Sequence, residues 1–325
     1  MNTMGLLRAI ARVNHTIKRF YCMALVLTAA CGLALSSRAT VLVDDKWTDG
    51  TRSDPASPNY ADNNGSAPID RDGDGELESA WFSTGTGASA PVTAGHMTLT
   101  MGSSSASWET YFTPEATPVT LANAGDQLKI TWVFTPTGVN AANSSQFFRL
   151  AVVDSPSATR VTSDASPGNG AYAGYAMFMN MAVTLGNSNP FQLMERTAAS
   201  SDLLSSSGNW GGLANGATSG NHGYDSSTTY TYAMTLTRNA SSGLDIVSTM
   251  TGGTLNGSGS ATVSFTDSTP NSFTYDTFAL RPSSTASTAS AFDTTEFKVE
   301  LIPEPSTFTL LGIGLAGLLV VRRRR

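Results

Sequence analysis

The sequence predicts an all-β, antiparallel sandwich, and three observations predict it. Apolar residues alternate with polar ones at period two along most of residues 40–301, whereas helical periodicity is scarce. Thr, Val and aromatic residues fill those alternating runs. Clusters of Gly, Asn, Ser and Asp separate them, as turns require.

The runs occur in order along the chain. They are His96–Gly102, Ser107–Pro114, Gln127–Gly138, Phe147–Asp154, Tyr175–Val183, Thr229–Asn239, Leu244–Met250, Ala261–Asp267, Phe273–Pro282 and Phe292–Ile302. Two show the pattern best. Leu128, Ile130, Trp132 and Phe134 share one face, as do Tyr230, Tyr232, Met234 and Leu236, opposite Ala233 and four Thr. One apolar face per strand suits two sheets packed against each other. Gly186–Pro190 and Ser284–Ser290 read as loops, and no linker divides the body, so residues 40–301 form one large sandwich of jelly-roll type.

Both flanks read as targeting segments. Arg8, Arg12, Lys18 and Arg19 precede an apolar stretch, Cys22–Leu35. Ser37-Arg38-Ala39 then places small residues for a cut between Ala39 and Thr40, the layout of a signal peptide over residues 1–39. An uncleaved anchor and a lipoprotein cut at Cys31 are the alternatives. Both cysteines, Cys22 and Cys31, lie in this segment, so the exported body has no thiol or disulfide chemistry. Its core alone must hold it, which about 260 residues allow.

Charge is partitioned as well. The body keeps ten basic residues against all 25 acidic ones, near −15. Such a surface repels nucleic acid and anionic lipid, and suits divalent cations or neutral glycans.

Residues 302–325 run Pro303-Glu304-Pro305, then an apolar segment from Ser306 to Val321, then Arg322, Arg323, Arg324 and Arg325. The apolar segment is a little short of the roughly 20 residues of a full span, yet the arginines would hold its end on the cytoplasmic side. The prolines keep the preceding peptide extended and free of ladder bonds. This order resembles the PEP-CTERM sorting signal of Gram-negative exported proteins. The resemblance implies an export route, transient anchoring in the inner membrane, recognition by an exosortase, and delivery to the cell surface or matrix, often beside extracellular polysaccharide. A plain C-terminal anchor is the alternative.

The run Phe273–Leu301 resembles the closing strands of the concanavalin A-like lectin and glucanase fold, through Asp276, Phe278, Ala279, Leu280 and Arg281 followed by Phe292–Leu301. That resemblance implies fold, not activity.

Two stretches carry candidate chemistry. Asp70, Asp72 and Asp74 alternate ahead of Gly75, Glu76 and Leu77. This resembles the first eight positions of an EF-hand loop, which implies a calcium site, with Glu76 contributing its carbonyl and Glu78 its carboxylate. The twelfth position is Trp81 rather than an acid, and a solvated Asp/Gly turn is the competing reading. Upstream, Asp44, Asp45, Asp49 and Asp54 surround Lys46 and Arg52 and either widen this acidic site or end a first strand in a turn. In the long Gly/Asn-rich segment Ser207–Asp225, Trp210, His222 and Tyr224 are candidates for stacking on and hydrogen-bonding a sugar. Trp210 could equally cover a core edge.

No Glu-x-Asp-x-Glu, G-x-S-x-G or H-E-x-x-H motif occurs. The expectation is therefore a non-catalytic structural or adhesive body. The alternative is a calcium-supported glycan-binding module or polysaccharide hydrolase.

Overall fold

The computed structural model describes residues 38–52, 70, 73–84, 88–102, 106–114, 116–155, 160–161, 163–164, 172–198, 203–204, 207–283, 285 and 287–304. The segment expected as a signal peptide up to residue 37, and the apolar helix with its arginines beyond Glu304, lie outside the described residues. Among those described, no helix is long and apolar enough to cross a membrane. Ala39–Pro303 form one compact unit.

The strands in chain order are β1 (Thr40–Asp45), β2 (Trp81–Thr84), β3 (Val92–Thr93), β4 (His96–Thr100), β5 (Ala106–Tyr111), β6 (Val119–Thr120), β7 (Gln127–Thr137), β8 (Ala142–Asn143), β9 (Phe148–Asp154) and β10 (Ala173–Met179). They continue with β11 (Thr184–Leu185), β12 (Phe191–Arg196), β13 (Trp210–Asn215), β14 (Tyr230–Arg238), β15 (Leu244–Thr251), β16 (Ser260–Asp267), β17 (Thr274–Tyr275), β18 (Thr277–Ser283) and β19 (Ala291–Ile302). All ten predicted runs contain strand. The run Phe273–Pro282 is split at Asp276, whose carboxylate is taken by Ser155 and Arg160.

The first sheet has the order β16-β15-β14-β7-β19-β4-β3, with β1 also on β19; the second has the order β13-β12-β10-β9-β18-β5-β2. Every pairing in both is antiparallel. Between the sheets lies one apolar core rich in rings. Trp132 stacks on Phe134 at 4.1 Å, Phe148 on Phe292 at 5.4 Å, and Trp81 meets Phe297 edge-on at 5.2 Å. Trp47, Trp81, Trp108 and Trp132 are all buried. Such ring pairs add about 0.5–1.5 kcal/mol each to the burial of their area.

The outer faces of the sheets differ. Strand β7 alternates between buried and half-exposed over most of its length, so the first sheet turns a Thr-rich face to water. Strands β9 and β10 are buried on both faces. The outer face of the second sheet carries a further cluster, in which Ala151, Val153, Ala176, Phe178 and Ala279 pack with Leu203, Leu204, Tyr172 and Trp210.

Candidate functional site

The two acidic stretches do meet, through a pair of backbone bonds between Asp44 and Leu77 (N···O 3.0 and 3.3 Å). Several of the described carboxylates bond within the protein itself. The Glu76 carboxylate turns away from its own loop and accepts from Lys46 N, Thr48 N and Thr48 Oγ1 at 3.1, 3.1 and 2.5 Å. Asp70 accepts from the N–H groups of Gly73 and Gly75 at 2.7 and 2.9 Å, and Asp74 from Glu76 N at 2.8 Å. Gly73 and Gly75, with φ of 82° and 94°, let the backbone wrap around Asp70. Glu78 is buried, and Asp72 lies outside the described residues.

Asp70 and Asp74 are thus engaged within their own turn. Among the described residues no group of three or more His, Cys, Asp or Glu is placed to hold a metal ion. Backbone N–H groups left open by the turn bond to these oxygens.

Beside this clamp, Asp45 is buried and accepts from Trp47 N, Ser79 N and Ser79 Oγ, while Ser79 Oγ receives Trp81 Nε1–H. Burial outweighs those bonds and pushes the Asp45 carboxyl up to about 7.

The three candidate sugar-binding residues, Trp210, His222 and Tyr224, fall in different places. Trp210 is not on a loop. It opens β13 and is 5% exposed, its Nε1 donating to Leu203 O at 3.2 Å. Tyr224 is buried in the main core, its ring 5.0 Å from Tyr230. His222 pairs with Asp225 at 2.7 Å. Trp210 and Tyr224 belong to different clusters, so the three residues do not form one face. Gly and Asn made residues 210–215 look like a loop, but the ladder to β12 makes them a strand, and Gly212 has the reason for its lack of a side chain beside it. A Cβ there would stand 2.6 Å from Gln192 Nε2.

Trp210 is one end of a stack that crosses the outer face of the second sheet. The Arg196 guanidinium lies over its ring at 5.1 Å, and Phe178 meets it at 5.7 Å. The Arg149 guanidinium lies 4.3 Å from Phe178 and 5.4 Å from Phe147. Arg149 Nη1 and Arg196 Nη1 also donate to the carbonyls of Leu204 and Leu203, at 2.6 and 2.5 Å, which ties that segment down over the sheet.

Only the far end of the stack reaches water. Phe147 is 37% exposed, while its neighbour Phe148 is fully buried in the main core. Amides flank it. Gln146 Nε2 contacts the Asn189 carbonyl and Gln192 Oε1, the latter at 3.0 Å. Gln192 pairs across the ladder with Asn215. Asn180, fully buried, holds the supporting loops by donating to Asn143 and Ser145 and accepting from Gly186 N and Asn187 N. The signal for Phe147 was present in the sequence: two adjacent Phe in a strand cannot both face one core.

Comparisons with known proteins bear on both ends of this description. Residues 301–325 match the model of the PEP-CTERM protein-sorting motif. No curated protein matches the chain. Solved structures similar to it include the metal-free carbohydrate recognition domain of Emp46p, at 13% identity over 67% of this chain and 87% of that one, with a TM-score of 0.40. The exoplasmic/lumenal domain of VIP36 in its Ca2+/Man3GlcNAc-bound form is 16% identical over 67% and 82%, with a TM-score of 0.41. Lectin I from Ulex europaeus, with the methyl glycoside of alpha-L-fucose, is 10% identical over 68% and 92%, with a TM-score of 0.39. The chain is that of an exported protein carrying a PEP-CTERM sorting motif over residues 301–325.

Proposed function

We propose that the body is a non-catalytic adhesive domain, displayed at the cell surface or in the matrix after exosortase processing, and that it holds neutral extracellular polysaccharide at Phe147. The carrying observation is the exposed Phe147 ring, braced by Arg149 and next in the chain to Gln146, whose amide meets that of Gln192. A sugar offers a C–H face to an aromatic ring and hydroxyls to amides, and this arrangement supplies both partners. The body is strongly acidic, so a polyanionic glycan would be repelled where a neutral one is not.

The test compares wild type with Phe147→Ala for retention on polysaccharide prepared from the producing cells, in calcium and in chelator. The expected result is saturable binding by wild type, unaffected by chelator, and at least about tenfold weaker in the variant, the loss of some 1.4 kcal/mol. The same melting temperature for both proteins would locate the loss at the ligand. Binding that vanishes in chelator would instead return calcium, with Asp70, Asp72, Asp74 and the Glu76 carbonyl, to the centre of the reading. Equal binding by both proteins would remove Phe147 from it.

A further inference from the structure

The two large sheets end in β1, β2, β3, β13 and β16, and all of these edges but the last are blunted. Strand β1 is bridged to Leu77 through both backbone bonds of Asp44. In β2 the N–H groups of Trp81 and Ser83 go to Arg52 O and Asp164 Oδ1, at 3.2 and 2.9 Å, and Arg52 in turn pairs with Asp164. Strand β3 has only two residues and follows Pro91. Strand β13 carries an extra residue, Leu213, opposite the step from Leu193 to Met194. Short length, charge, proline and bulges are the ordinary means by which an edge is kept from pairing with another chain.

Strand β16 uses none of them. Its eight residues, Ser260–Asp267, run in unbroken register against β15 and include no Lys, Arg or Pro. Among the described residues, no group beyond the sheet bonds to the backbone of residues 261–266. Gly216 comes against the Thr262–Val263 peptide, but its N–H goes to Phe191 O. Thr262, Ser264 and Thr266 are exposed, and Phe265 is only half-buried against the main core. Residues 244–267 hold no base and just two acids, Asp245 and Asp267, which lie at the same end of the β15–β16 pair. Both acids are engaged, Asp245 by Thr266 and Asn239, Asp267 by Tyr175 and Thr269.

We infer that β16 is a docking edge for a second copy of this chain, two β16 strands pairing antiparallel about a two-fold axis at Val263. In that register Thr262 stands opposite Ser264 of the second copy, Ser260 opposite its Thr266, and Phe265 opposite its Ala261. No charge meets a like charge, and Phe265 gains the apolar cover it lacks in one copy. The two Asp267 residues then lie about 27 Å apart along the strands. That is well beyond the roughly 8 Å over which charges act in physiological salt. A parallel pairing would set them side by side. The body is near −15 overall, so copies approach each other with least opposition along this uncharged stretch. Each edge consumes the other, which closes the assembly at two. A strand of this length covers less than the roughly 800 Å² per partner of a standard interface, so the pair is a weak one. Its dissociation constant should fall between about 1 μM and 1 mM. None of this depends on the reading of Phe147.

The experiment uses the protein purified from exporting cells in the form they produce, followed by sedimentation velocity from about 1 μM to about 1 mM. Wild type should pass from monomer to dimer over that range and go no further. Ser264→Asp sets a carboxylate on either side of the axis and should weaken the dimer at least about tenfold in low salt. Part of the loss should return at about 1 M salt, where screening leaves only some 3 Å of reach. Thr131→Asp adds the same charge to the same face, three strands or about 14 Å inward, and should leave association unchanged. Hydrogen exchange on wild type needs no variant: amides of residues 261–266 should slow as concentration rises, while those of β14 should not.

A monomer at every concentration overturns the inference. So does a dimer that survives Ser264→Asp in low salt, or one weakened equally by Thr131→Asp, which would move the contact onto the Thr-rich face. A dimer whose residues 261–266 exchange at a concentration-independent rate overturns it too, because the copies then meet elsewhere. If a lowered melting temperature shows that Ser264→Asp is misfolded, the exchange measurement decides alone.

Discussion

The outer faces of the two sheets set one chain's strands in opposite environments. On the first sheet, Thr131, Thr135, Thr231, Thr235, Thr249 and Thr262 stand in rows toward water, with Val133 half-buried among them and Val247 43% exposed. On the second sheet the equivalent positions are Arg149, Ala151, Val153, Ala176 and Phe178, sealed beneath Leu203 and Leu204. The first sheet is stabilised through one face and the second through both. Two faces therefore tolerate change very differently, and the exposed Phe147 ring sits where the sealed face comes out into water.

The largest test of this contrast is Phe178→Ala. The ring touches Arg149 and Trp210 in a buried cluster, so its loss should cost about 3–5 kcal/mol in denaturant unfolding. A cost below about 1 kcal/mol would mean that the second face is not a working core.

Ion pairs give the next comparison. Arg160 and Asp276 meet at 2.5 Å with side chains 9% and 1% exposed, and Arg160 also donates to Thr113 O and covers the Tyr111 ring. Arg160→Ala takes the counter-charge from a buried carboxylate and should cost about 3 kcal/mol. Lys298, which bridges Asp44 and Glu300 on the open sheet at 3.5 and 3.4 Å, should cost less than about 1 kcal/mol when changed to Ala. Equal costs would erase the distinction between the faces.

The pH dependence follows from buried carboxyls. Burial raises Asp45 to about 7 and Asp154 to about 6, the latter also pushed by the Asp276 charge. Each binds its proton more tightly folded than unfolded, so stability is fullest below pH 4 as far as these groups go. It falls as pH rises through 4 to 7, with a slope of at most about 1.4 kcal/mol per pH unit for each. Asp164, lowered by Ser83 and Arg52 against its own burial, works in the opposite sense, and only below the ordinary carboxylate range. Melting temperature should thus be higher at pH 5 than at pH 8, and Asp45→Asn should flatten the difference. A melting temperature that rises over that interval would contradict the assignment.

The smallest effect belongs to the open face. Thr249 shares a hydroxyl contact with Thr262 at 3.1 Å in water, and Thr249→Ala should stay within about 0.5 kcal/mol of wild type.

The first sheet was legible in the sequence because its chemistry is local. Water on one side and core on the other write period two into Gln127–Thr137 and Tyr230–Arg238, and a reader recovers the strands from that period. The second sheet was only partly legible. Phe147–Asp154 and Tyr175–Val183 read as strands, but nothing in their near-continuous apolar runs says that a segment further along the chain, Leu203–Leu204, covers them. Strand β13 was missed, since Gly211 and Gly212 write a loop-like composition into an edge strand whose neighbour needs the space.

By itself the sequence determined the all-β class, the acidic exported body, the absence of thiol chemistry in it, and the sorting motif. Composition, period and short contiguous motifs hold that information within a few residues. The tertiary structure alone decided that Trp210 is core while Phe147 reaches water, that Glu76 clamps Thr48 and the backbone at Lys46, and that the strand leading into the motif is the centre of its sheet. Those outcomes depend on which distant segment competes for a ring, a carboxylate or a ladder edge. That competition is settled only when the two sheets close on each other.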